Sequence, residues 1–221
     1  MNSNQLIKLV QSQENLKALI VDLDGTLVDT MNVHKKGYEL LFDQHGWNFD
    51  SEIWETKGPM GGTKWLQEIL VANNVINSEK VAAKLKRAKT IWFLKNINRV
   101  KIIEPVFELI QWARQNTILK TVCATTAFQE IIDRIFDMYH LYGYFDLVLT
   151  AKDVPNGKLK PDPYIYYEAL NRLNVKAENC IAIEDSDIGC QSALSAGVAC
   201  FNISSNKLRI ATPLHDDQLS T

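Results

Sequence analysis

Lys17-Ala18-Leu19-Ile20-Val21-Asp22-Leu23-Asp24-Gly25-Thr26-Leu27-Val28-Asp29-Thr30 runs from an unbroken apolar segment straight into an acidic turn. Apolar residues that do not alternate with polar ones are expected of a parallel strand buried on both faces. Two carboxylates two residues apart at the end of an extended strand point to the same side. Gly25 then lets the chain turn tightly. Short apolar runs recur at residues 119–124, 146–149, 180–183 and 198–203, and helical patterns lie between them at 106–114, 128–138, 163–173 and 188–196. This alternation predicts an α/β protein, an open parallel sheet with helices on both faces.

One region breaks the rhythm. From residue 31 to 98 there is no convincing strand, only helical patterns at 33–45, 63–72 and 78–94, with a loop at Gly58-Pro59-Met60-Gly61-Gly62. So long a segment is too much for a simple crossover. An inserted all-helical domain spanning 31–98 is expected, with residues 1–30 and 99–221 forming the core. The insert follows the first strand, at the sheet edge where open α/β folds bind ligands.

The 221 residues carry a net charge of -2, with 46% hydrophobic and 23% charged side chains. That composition suits a globular chain and argues against disorder. A near-neutral balance also argues against a protein that coats nucleic acid or anionic lipid, so neither is an expected partner. Cys123, Cys180, Cys190 and Cys200 show no CxxC spacing and read as reduced core cysteines. Residues 1–17 are polar and amphipathic, without an apolar stretch of signal-peptide length, and a cytoplasmic protein is expected. The end of the chain, 204–221, is polar and poorly patterned.

Three other strand ends bear on the acidic turn. The second run finishes in Ala124-Thr125-Thr126, presenting hydroxyls and a backbone N–H at the same edge. After the third comes Gly157-Lys158-Leu159-Lys160-Pro161-Asp162-Pro163, in which Pro161 confines Lys160 to an extended or turn conformation at a helix entry. The fourth ends in Glu184-Asp185-Ser186-Asp187. Each has a plain structural reading as a cap or a surface turn. Together they place acids, a hydroxyl and a cation on one rim of one sheet. Carboxylates so close repel, and a divalent cation is the natural reason for them to converge. A calcium loop counted from Asp22 fails, because Leu27 falls where the glycine belongs and Val33 where the bidentate Glu belongs. Oxygen ligands favour Mg²⁺ over zinc. Mg²⁺ with a lysine and a hydroxyl makes a cradle for phosphate. One aspartate then attacks phosphorus and the other protonates the leaving oxygen.

In these four motifs, in this order, the chain resembles the haloacid dehalogenase superfamily. Asp22-Leu-Asp24-Gly-Thr-Leu-Val is similar to the first motif, Thr125 to the second, Lys160 in Lys-Pro-Asp-Pro to the third, and Glu184-Asp185 to the fourth. The resemblance implies a Rossmann-like core with a helical cap and covers residues 17 to about 203. It implies Asp22 as the nucleophile that forms an aspartyl-phosphate. Asp24 is implied as the general acid/base, giving its backbone carbonyl to Mg²⁺. Asp185 is implied as a direct metal ligand and Glu184 as a ligand or a partner through water. Thr125, Lys160 and the amides of Leu23, Asp24 and Thr126 are implied to hold the phosphoryl group.

Within the superfamily the chain looks like the small-cap group of sugar-phosphate phosphatases, phosphoglycolate phosphatases and β-phosphoglucomutases. His34 sits where that group often has a hinge histidine. The mutases carry a cap-loop arginine for a second phosphate, and residues 57–63 here contain none. Lys57 is not its equivalent, since an ammonium is a point charge without the bidentate fork. The expectation is therefore a Mg²⁺-dependent phosphatase of a small phosphorylated metabolite, acting as a monoester hydrolase and as a monomer or weak dimer. A phosphomutase is the alternative, and a phospho-accepting signalling domain a distant one. Trp54, Lys57 and Trp65 are further possible substrate contacts from the cap.

Overall fold

The computed structural model describes residues 2–58, 63–116, 118–155 and 157–211. The chain divides into two compact units, Met1–Val28 with Ile102–Thr221 and, between these segments, Asp29–Lys101.

The first unit is built on β1 (Ala18–Val21), β4 (Lys120–Ala124), β5 (Leu147–Leu149), β6 (Cys180–Glu184), β7 (Ala199–Asn202) and β8 (Lys207–Arg209). They form one sheet in the order β5-β4-β1-β6-β7-β8, with every pairing parallel except β7 with β8. Strand order reverses at β1, so the crevice outside its carboxyl end is where such sheets take ligands. The register aligns Val21 with Cys123 and with Ile183, which brings the ends of the three central strands to one level.

Burial on both faces explains the unbroken apolar runs. On one face Ala18, Ile20, Val122, Ala124, Ala182 and Cys200 pack with residues of α8 (Tyr164–Leu173) and α9 (Asp187–Ser195). The alternate set, Leu19, Val21, Cys123, Ile181 and Ile183, is equally buried. Its face is covered by α6 (Glu104–Asn116), which packs on β4 and carries α1 (Ser3–Gln11). Among the described residues the remaining α-helix of this unit is α7 (Gln129–Tyr139). Among the described residues no helix is long and apolar enough to cross a membrane.

The second unit consists of α2 (Met31–Gln44), α3 (Ser51–Lys57), α4 (Lys64–Ala72) and α5 (Ser78–Lys95). Tyr38 and Trp54 each meet Trp65 edge to face and tilt against one another in its core, around Phe42, Leu66, Ile69 and Leu85. Of the proposed loop 58–62, residues 59–62 lie outside the described residues.

Three features differ from the sequence reading. Helix α3 was not anticipated, although Asp50 caps it by accepting from the amides of Glu52 and Ile53 at 2.9 Å, a signal present in Asp50-Ser51-Glu52. The polar end of the chain contributes the edge strand β8, antiparallel to β7. Its residues 212–221 lie outside the described residues. Finally, β2 (Val28–Asp29) and β3 (Lys101–Ile102) pair as a two-stranded ribbon too short to leave a pattern.

Candidate active site

The ends of β1, β4 and β6 bring the expected residues together. Asp22 extends β1 by one residue, its amide donating to the Ile183 carbonyl at 3.0 Å, and is 7% exposed. Lys160 reaches the same point from the loop before α8. Its ammonium donates to Asp22 Oδ1 at 2.6 Å, to Glu184 Oε1 at 2.6 Å and to the Ala124 carbonyl at 2.9 Å. Three donors meet three acceptors. Ser192 Oγ of α9 holds the loop by donating to the Asp162 carbonyl at 2.6 Å.

Two buried carboxylates therefore share one cation. Burial presses the Lys160 ammonium toward neutrality, but Asp22 and then Glu184 outweigh it and hold the pKa above the usual lysine range. Glu184, 1% exposed, is pushed up by burial against the pull of Lys160, with Asp22 adding repulsion. Asp185 is raised to about 6, by burial first and by Asp22 second.

Asp22, Glu184 and Asp185 each offer a carboxylate oxygen within 4.8 Å of the others. The donor set is all oxygen and anionic, which fits a hard divalent cation such as Mg²⁺. The backbone is shaped around it. Gly25 has φ +87° and a Cβ there would stand 2.2 Å from Asp185 Oδ2, so only glycine leaves the carboxylate its place. Thr26 Oγ1 donates to Asp185 Oδ1 at 3.3 Å, and Asn202 Nδ2 to the Asp185 carbonyl at 3.2 Å.

Asp24 follows in the turn that the Gly25 amide closes on the Val28 carbonyl at 2.8 Å. Thr125 Oγ1 lies 3.5 Å from Asp24 Oδ2, at the limit of a hydrogen bond, and accepts from the Ala127 amide at 3.1 Å. Among the described residues neither the Leu23 nor the Thr126 amide is taken up by a backbone carbonyl.

In the helical unit, Trp54 and Trp65 are 6% and 4% exposed. Their rings pack the core of that unit and present no open face. Lys57 is paired with Glu68 at 2.7 Å on an exposed surface. His34 stacks on Phe93 with 4.1 Å between centroids, and its Nδ1 lies 3.3 Å from Lys89 Nζ. Burial, then the Lys89 charge, lowers the imidazole pKa to about 3, so the ring is neutral.

Two residues escaped the sequence reading. Lys89 occupies the buried stripe Ala82, Leu85, Lys89, Phe93 of α5, and a lysine in an apolar stripe is a signal legible without a structure. Tyr166 left no such signal. It is fully buried on α8, and its hydroxyl donates to Glu184 Oε1 at 2.6 Å, the oxygen that also accepts from Lys160. Tyr166→Phe is expected to cost about 1.5–3 kcal/mol, the range for a hydrogen bond to a charged acceptor, in urea unfolding of the metal-free protein. An unchanged midpoint would mean that Lys160 alone positions the carboxylate.

Residues 16–197 match the family model described as haloacid dehalogenase-like hydrolase. The chain is 32% identical over 190 residues to protein CbbY of Rhodobacter capsulatus, covering 83% of each protein. It is 29% identical over 189 residues to the phosphorylated carbohydrates phosphatase of Thermotoga maritima, covering 83% of this chain and 82% of that one. Among solved structures, a putative β-phosphoglucomutase from Thermotoga maritima superposes with a TM-score of 0.66 at 26% identity, over 85% of each chain.

Proposed function

The chain belongs to the haloacid dehalogenase-like hydrolase family, and on that footing we propose that it is a Mg²⁺-dependent phosphatase of a small sugar phosphate. The observation that carries this reading is the buried Asp22 carboxylate, held by Lys160 through Oδ1 beside Glu184 and Asp185. A carboxylate fixed by one oxygen presents the other to an electrophile without reorganising. The name of the Thermotoga phosphatase supports a phosphorylated carbohydrate as the substrate class.

In this mechanism Asp22 attacks phosphorus while Asp24 gives a proton to the departing sugar oxygen. Asp24 then takes a proton from the water that cleaves the aspartyl-phosphate. Lys160, Thr125 and the amides of Leu23, Asp24 and Thr126 hold the phosphoryl oxygens. Mg²⁺ bound by Asp22, Asp185 and the Asp24 carbonyl would offset the charge of those oxygens and of the carboxylates. Glu184 has Oε1 doubly engaged, so it would act through Oε2, directly or through water.

The test is product analysis over a panel of phosphosugars with Mg²⁺. Release of inorganic phosphate is expected. Conversion of β-glucose 1-phosphate to the 6-phosphate without release would hand the case to a mutase.

A second expectation concerns pH. Below about 6 a proton on Asp185 competes with the cation. The Mg²⁺ concentration for half-maximal rate should then rise about tenfold per pH unit, one proton being displaced per ion. The sign for stability follows from the raised carboxyl. The unfolded chain releases this proton near pH 3.9 and the folded chain near 6, so metal-free stability falls as pH rises through that window. Thermal stabilisation by Mg²⁺ should accordingly be larger at pH 7.5 than at pH 5. A shift independent of pH would remove Asp185 from the binding set.

A further inference from the structure

Cys190 on α9 and Cys200 on β7 are both free and buried, and their sulfurs stand 3.0 Å apart. The proposed mechanism uses neither. We infer that Cys190 and Cys200 form a reversible intramolecular disulfide, a modification site placed directly behind the acidic loop.

Three observations carry this. The first is distance, since an S–S bond of about 2.05 Å needs the sulfurs to approach by only about 1 Å. The second is activation. The Cys200 thiol donates to Cys190 Sγ, and this bond is the largest cause lowering the Cys190 pKa, to about 7; burial and then Asp187 oppose it, and Asn202 and Arg209 add to it. The shift favours the thiolate of Cys190, the reactive form, and leaves the shared proton on Cys200, whose thiol the same bond pushes up. The third is a thin cover. Asp187 is exposed and Arg209 half-buried; their charges act on Cys190, and they pair at 2.6 Å. Arg209 ends the three-residue edge strand β8, whose register sets it opposite Cys200. Short edge strands open at low cost, admitting a small neutral oxidant.

Hydrogen peroxide is such an oxidant. The Cys190 thiolate attacks one peroxide oxygen and the O–O bond breaks. Hydroxide leaves and is protonated to water, and Cys190 becomes a sulfenic acid. Cys200 sulfur then attacks Cys190 sulfur, the S–O bond breaks, and a second water leaves with the Cys200 proton. Two thiols lose two electrons and one peroxide becomes two waters.

The bond would be felt at the carboxylates. Gly189, adjacent to Cys190, has no Cβ because one would stand 2.0 Å from Glu184 Oε2. Asn202, two residues after Cys200, holds the Asp185 carbonyl. Drawing α9 toward β7 moves both supports.

The experiment treats the folded full-length chain with hydrogen peroxide, alkylates the remaining thiols in denaturant and maps the peptides. The expected result is a mass lower by two hydrogens, a Cys190–Cys200 linked peptide, alkylated Cys123 and Cys180, and reversal by dithiothreitol. Cys190→Ala and Cys200→Ala should each abolish the linkage. Full alkylation of Cys190 and Cys200, or oxygen addition without linkage, overturns the site. The linked protein should also show a smaller Mg²⁺-induced thermal shift than the reduced one. Equal shifts overturn the coupling to the carboxylates. That readout rests on the cation reading above, whereas the linkage map does not.

Discussion

Asp22→Asn is expected to lower phosphate release by about 10⁴-fold or more while leaving the fold intact. Losing a nucleophile removes the covalent route itself, and residues acting as a unit do not share its burden. An amide at position 22 is nearly isosteric and keeps an oxygen within reach of Lys160. The ammonium also retains Glu184 at 2.6 Å, so no buried charge is orphaned. Urea unfolding should therefore change little beside the change in rate. Near-normal turnover in this variant, measured as inorganic phosphate and checked by circular dichroism, would sink the assignment of Asp22.

The parts of the fold that could be read in the sequence are those whose physics is one-dimensional. Ala18–Val21 and Cys180–Glu184 are buried along their whole length, and Lys120–Ala124 in all but its first residue, so a largely apolar run is their unavoidable signature. The edge strand β8 is Lys207-Leu208-Arg209, with one apolar residue and a single neighbour, and it leaves no comparable trace. The same division runs through the site. Asp22, Thr125, Lys160, Glu184 and Asp185 lie at or after strand ends in recognisable motifs. That Asp22 and Glu184 meet on the Lys160 ammonium is a matter of register between strands far apart in the chain. Tyr166 is legible only in three dimensions, because a buried tyrosine on α8 is ordinary until its hydroxyl is seen to meet Glu184. The tryptophans teach the converse. Trp54 and Trp65 have the chemistry of ligand contacts, and packing decides that they fill the core of the helical unit.

Lys160→Met should behave unlike Asp22→Asn, because it removes the one positive charge that two buried acids share. The Lys160, Asp22 and Glu184 side chains are 9%, 10% and 1% exposed, so water cannot replace the ammonium. Breaking a buried pair from one side typically costs about 3–5 kcal/mol, since the stranded charge remains desolvated. Here two carboxylates are stranded together, and Glu184, already pushed up by burial, loses the ammonium that pulled it down, so its pKa rises further in the folded state. The unfolded chain ionises a glutamate near pH 4, so the penalty grows as pH rises above that value and shrinks again toward pH 4. Urea unfolding at pH 7.5 and pH 5 should therefore show the variant much weaker than the parent at the first and closer to it at the second. Mg²⁺ should restore part of the stability at pH 7.5 by supplying positive charge to the same oxygens. It should not restore the rate, expected to fall about 10³-fold or more, because the donor holding Asp22 Oδ1 in place is gone. Lys160→Arg separates charge from shape. It keeps the cation but presents a planar fork where three acceptors converge on one nitrogen, so stability should recover further than activity. Equal recovery of both would mean that charge alone, and not the geometry of the ammonium, organises the site.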